Sequence, residues 1–131
     1  MELKPKLFGP IWAEYDGSDT VKFSHSKQSG PEMSFAKNSP VDTLLASLGH
    51  CIVMSVQWAA AQRKVDLKPF KVEVLGTKAL DEPGRLQRLD VTVIGPVVDD
   101  AGLAARILKQ AKTICTVSNS LNCDVTVSQR N

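Results

Sequence analysis

Between Ser39 and Arg63 the chain carries a helix signal that limits what the rest can fold into. Ser39 is a good N-cap, Pro40 suits the first helical position, and Asp42 stands where a capping-box acid would. On a helical wheel Leu44, Leu48, Cys51, Ser55 and Trp58 share one stripe, and Leu45, Ile52, Val56 and Ala59 widen it. Only a narrow face with His50 and Gln57 is polar. A helix apolar most of the way round is a buried central helix, so the other elements must wrap it. Gly49 in its middle costs ~1 kcal/mol of helix propensity and marks a close approach, expected from a crossing helix.

The flanking segments supply sheet. Leu7–Tyr15 ends at the turn signal Asp16-Gly17, and Val21–His25 alternates apolar and polar. A short strand is expected at 32–36, after a loop containing Gly30-Pro31. Phe70–Leu75 and Leu89–Ile94 alternate around a polar stretch with Asp81-Glu82-Pro83-Gly84, which reads as a long β-hairpin. Asp99 or Asp100 caps a second helix whose apolar side is Leu103, Ala104, Ile107, Ala111 and Ile114. A short helix over Cys115–Leu121 and a strand over Asp124–Val127 complete the order βββ-α-ββ-αα-β. That is an α+β pattern with a mainly antiparallel sheet, in one domain covering 1–131.

Composition narrows the function classes. The 131 residues are 43% hydrophobic and 23% charged, an ordinary globular balance. Sixteen Lys and Arg against fourteen Asp and Glu leave a net charge of +2, scattered and without the basic stripe that nucleic acid requires. Met1–Lys6 has no apolar core of a secretory signal, and the run Cys51–Ala61 is short of the ~20 residues of a membrane span. A cytoplasmic protein with reduced cysteines is expected, bound neither to membrane nor to nucleic acid.

Three cysteines, Cys51, Cys115 and Cys123, carry the chemistry on offer. Any single one is a good core filler. Zinc is a poor fit: there is no C-x-x-C, only His25 and His50 add nitrogen, and His50 and Cys51 point ~100° apart on a helix. A cysteine–histidine hydrolase lacks a matched histidine and orienting partner.

Two motifs in sequence order carry a resemblance. Ser39-Pro40-Val41-Asp42-Thr43-Leu44-Leu45-Ala46-Ser47-Leu48-Gly49-His50-Cys51 resembles the helix motif of the OsmC/Ohr family. Cys115-Thr116-Val117-Ser118-Asn119-Ser120-Leu121 resembles that family's second cysteine motif, with Thr116 in place of its usual proline. The likeness implies an intertwined homodimer with two long central helices wrapped by sheets. It implies a thiol-dependent peroxidase of organic hydroperoxides, with hydrogen peroxide as a further substrate. Cys51 would be the peroxidatic cysteine and Cys115 the resolving one. A dithiol reductant of the lipoyl type would reset them, and no cofactor or metal is called for.

The chain departs from the hydroperoxidase pattern in two places. No arginine precedes Arg63, which lies ~18 Å along the helix from Cys51, so a thiolate there would rely on Lys22, Lys27, His25 or a partner chain. The position of the family's glutamate is Val41; the neighbouring Asp42 is more economically a helix cap, though a divergent branch carries its acid there. His25 could protonate a leaving alkoxide, or be a half-exposed strand residue. Trp58 could wall an apolar pocket, or be core. His50 reads as structural or interfacial, and Cys123 as a bystander or alternative resolving thiol. These departures motivate an alternative: a redox-responsive or small-molecule-binding dimer without turnover.

Overall fold

The computed structural model describes residues 6–25, 40–81 and 84–131. Eight elements follow one another: β1 (Leu7–Tyr15), β2 (Lys22–Ser24), α1 (Pro40–Gln62), β3 (Phe70–Lys78), β4 (Leu86–Ile94), α2 (Ala101–Ile114), α3 (Thr116–Ser120) and β5 (Asp124–Arg130). The strand expected at 32–36, the cap at Ser39 and Lys27 lie outside the described residues. The fold is α+β, with one sheet and helices packed on one of its faces.

The sheet runs β2-β1-β3-β4-β5. The hairpin read from the sequence is β3 and β4, longer than its apolar runs suggested, and β1 and β2 extend it antiparallel. β5 joins β4 in parallel, Arg88 opposite Asp124 and Ile94 opposite Arg130. A parallel neighbour needs a crossover, and α2 with α3 provides it.

Alternation decides which side of the sheet is core. Ile11 and Ala13 on β1, Val72 and Val74 on β3, and Leu89, Val91 and Val93 on β4 are almost fully buried. They face Leu45, Leu48, Ile52, Val53 and Val56 of α1 and Ile107 of α2. α1 is therefore a core helix, as expected, but its buried stripe is rotated from the one the wheel suggested. Leu45, Leu48, Ile52 and Val56 form its centre, Cys51 is half-buried, and Trp58 is 47% exposed. Gly49 does mark a close approach, to the sheet rather than to a helix. A Cβ there would lie 3.2 Å from the Ala13 Cβ and 3.4 Å from a Val74 methyl. α1 is long and apolar enough to cross a membrane by length and composition, with a mean hydropathy of 1.5. Its burial against the sheet and α2 accounts for that character within the fold.

Helix ends are set locally. α1 closes with Lys64 in the left-handed region at φ 56° and the Val65 N–H bonded to the Ala60 carbonyl at 3.1 Å. α2 starts at Asp100, whose carboxylate accepts from the Leu103 N–H at 3.0 Å. Of the two candidate caps, Asp100 is the one used, which satisfies an N–H that the first turn leaves without a helical partner.

Candidate functional site: a buried thiol pair

α1 places Cys51 at mid-helix, near the junction where α2 ends and α3 begins. Cys115 is that junction: it closes α2, and its sulfur accepts a hydrogen bond from the Ser118 N–H at 3.4 Å as the N-cap of α3. The α1–α3 contact brings the two thiols together, and Cys115 is hydrogen-bonded to Cys51. All three cysteines are free thiols.

The surroundings of Cys115 oppose ionisation. Burial pushes its thiol up to about 11, and hydrogen-bonding and electrostatic interaction with Cys51 add to the rise. The backbone N–H groups of Ser118 and Val117 pull the other way and lose. Desolvation outweighs that help because the sulfur has no exposed surface. A hydrogen bond that raises an acid's pKa is one its protonated form donates. Cys115 thus keeps its proton beside Cys51.

Cys123 has a different setting. It opens onto a polar cleft of 330 Å³ lined by Arg85, Gln87, Leu121, Asn122 and Asp124. Burial raises its thiol, the Asp124 carboxylate adds to the rise, and Arg85 counters it.

Lys22 on β2 pairs with Asp16 at 3.0 Å. Hydrogen bonds from Ser18, with help from Lys22, hold the Asp16 carboxyl well below the usual carboxylate range. The hydrogen bond to Asp16 raises the Lys22 ammonium, so this cation already has a partner across the turn. His25 is exposed just past the end of β2. Asp42 lies in the first turn of α1, engaged with its surroundings and about two and a half turns from Cys51. Arg63 is also committed: its guanidinium donates to the Ala59 carbonyl at 3.1 Å and to the Gln110 side chain. Among the described residues, no group of three or more His, Cys, Asp or Glu could hold a metal ion.

Two contacts escaped the sequence reading. His50 meets Phe23 of β2 edge-on, with ring centroids 5.6 Å apart, which ties β2 to the turn of α1 that carries Cys51. Ser118 supplies the N–H to the Cys115 sulfur, and its position three residues on was the available signal, since an N-cap bonds to the N2 or N3 amide.

Comparison with protein-family models matches residues 30–130 to the OsmC-like protein family. The chain belongs to that family. Solved structures of OsmC-like proteins share its fold at low identity. An organic hydroperoxide resistance protein OsmC from Legionella pneumophila superposes with a TM-score of 0.63 at 16% identity, over 95% of this chain and 98% of that one. The organic hydroperoxide resistance protein OhrB of Bacillus subtilis gives 0.61 at 14% identity, over 98% of both chains. A hypothetical protein from Aquifex aeolicus gives 0.60 at 16% identity, over 99% of this chain and 96% of that one. Comparison with curated proteins finds no match. Both OsmC-like cysteine motifs lie within the matched span, and they are the segments that meet in space.

Proposed function

We propose that this OsmC-like protein is a thiol-dependent peroxidase that reduces organic hydroperoxides through Cys51 and Cys115. The observation that carries the reading is the approach of two thiols from distant parts of the chain, Cys51 on α1 and Cys115 at the start of α3. Cys51 as thiolate attacks the terminal peroxide oxygen. The O–O bond breaks, the alkoxide leaves and takes a proton, and Cys51 becomes a sulfenic acid. The Cys115 sulfur then displaces water from it, forming the Cys51–Cys115 disulfide with net loss of two hydrogens. A dithiol reductant, of the lipoyl type in the resemblance, returns both thiols by exchange. The roles follow from the environments: half-buried Cys51 is reachable, whereas Cys115 is buried and held protonated until Cys51 is oxidised.

The same reading includes a homodimer. The outward face of α1 presents Met54, 53% exposed, and Trp58, 47% exposed, beside half-buried Cys51. A second copy laid along this face would bury both apolar side chains and wall the approach to the thiol, a role for Trp58 that leaves it out of the single-chain core.

The test is to add one equivalent of cumene hydroperoxide to fully reduced protein, beside a hydrogen peroxide control. Rapid loss of two thiols with a mass decrease of ~2 Da, mapped to Cys51–Cys115, is the expected result. The Cys115→Ser variant should stop at a species ~16 Da heavier, the sulfenic acid, and Cys51→Ser should not react. Full peroxide consumption by Cys51→Ser overturns the reading. The engagement of Lys22 with Asp16 favours a second one, a redox-responsive or small-molecule-binding dimer. Wild-type thiols that persist for minutes beside the peroxide would select it.

A further inference from the structure

A second polar site lies away from the thiols, where the last turn of α1 meets the outer side of α2. A groove of 350 Å³ there is lined by Arg63, Arg106, Lys109, Gln110 and Thr113. Three of the five are cations and none is an acid. The ion pairs among the described residues lie elsewhere, and no carboxylate there pairs with Arg63, Arg106 or Lys109.

Ordinary explanations cover only part of this cluster. Arg63 caps the end of α1 through the Ala59 carbonyl. Arg106 and Lys109 stand in the middle turns of α2, before the last turn in which a cation is favoured by the helix dipole. They are three residues apart on one face, a like-charge spacing that costs a few tenths of a kcal/mol in an empty groove.

The hydrogen-bonding groups are also oriented. Half-buried Arg63 is fixed through one nitrogen, Nη1, by the Ala59 carbonyl and the Gln110 Oε1. Its Nε and Nη2 donors are engaged by no described residue, and a planar guanidinium presents such donors as a fork matched to phosphate oxygens. Gln110 has its oxygen committed to Arg63, so its amide N–H groups are the part it can offer. Thr113 donates its hydroxyl hydrogen to the Lys109 carbonyl at 3.0 Å, which leaves its oxygen as an acceptor. The groove therefore holds many donors for an anion and one acceptor for a hydroxyl.

We propose that this groove binds a small hydroxyl-bearing phosphate monoester: the phosphate between Arg63, Arg106 and Lys109, and a ligand hydroxyl donating to Thr113. Three positive charges suit a dianion, and the volume suits a compact polyol phosphate. The site is independent of the peroxidase reading, because none of its residues lies in the thiol pair.

Calorimetric titration of the reduced full chain in low-salt buffer tests it, with glycerol 3-phosphate as the probe and glycerol and sulfate as controls. Saturable one-to-one binding with a Kd below about 1 mM is expected, with no heat from glycerol and weaker binding of sulfate. The double variant Arg106→Gln/Lys109→Gln, at two exposed positions, should bind at least about tenfold more weakly at an unchanged thermal midpoint. Lys112→Gln, an exposed cation of the same helix that does not line this groove, should bind within about twofold of wild type. Absence of saturable binding, equal affinity for sulfate, or wild-type binding by the double variant overturns the proposal.

Discussion

Leu48 and Trp58 sit on the same helix and meet opposite surroundings. Leu48 has no exposed surface and packs with Leu45, Ile52 and Val56 between the sheet and α2. Trp58 is 47% exposed, in line with Met54 and His50 on the far side. Cys51 lies at the boundary, half-buried, with its sulfur turned to Cys115. One apolar helix thus serves two purposes. Its inner face builds the fold of the single chain, and its outer face keeps apolar surface beside a thiol. Hydrophobicity alone does not separate the two uses; the sheet residues Ala13 and Val74 that close on Gly49 do.

The largest expected effect comes from breaking the inner face. Ile52→Ala removes a fully buried side chain and should cost about 2–5 kcal/mol in urea unfolding, through lost transfer energy and the cavity left behind. Trp58→Ala should cost less than about 1 kcal/mol in dilute protein, because a half-exposed side chain gives up less on truncation. The same Trp58 variant should lower the apparent stability of concentrated protein and shift its sedimentation toward monomer, in keeping with the proposed homodimer. Equal losses for Ile52→Ala and Trp58→Ala in dilute protein would erase the distinction between the faces.

A smaller effect should appear in pH dependence and should report the burial of Cys115. Its folded pKa of about 11 lies above the ordinary 9.0, so the native state holds this proton more tightly than the unfolded chain. The resulting stability is fully present below pH 9 and is lost as pH rises through about 11. Urea midpoints should fall more steeply between pH 9 and 10.5 for wild type than for Cys115→Ala, whose difference cancels the lysine and tyrosine titrations. Parallel slopes would mean that the thiol is less sequestered than its packing indicates.

Much of this architecture was legible because local chemistry dictated it. The bounds of α1, the β3–β4 hairpin and the cap at the start of α2 each rest on signals within a few residues. The meeting of Cys51 with Cys115 was legible only through the resemblance, since no periodicity relates such distant positions. Three features were hidden because tertiary packing sets them. The rotation of the buried stripe on α1 depends on which strands cover it. The parallel pairing of β5 depends on the α2–α3 crossover. The engagement of Lys22 depends on the turn that brings Asp16 to it.

The smallest effect tests whether α2 matters to the thiols as a support or only as part of the core. Ile107 and Ala111 pack α2 against the inner side of α1, and the helix ends at Cys115. Asp100→Ala removes the acceptor of the Leu103 N–H at the far end and should cost about 1 kcal/mol. The loss should leave peroxide reactivity and thiol pairing unchanged, because the last turn is held separately: the Asn119 side chain donates to the Thr113 carbonyl at 2.9 Å, and the Cys115 N–H to that of Lys112 at 3.4 Å. If slower disulfide formation accompanied the lost cap, the register of all of α2 would be controlling the approach of Cys115 to Cys51. The contrast between the two faces of α1 would then extend to a contrast between the two ends of α2.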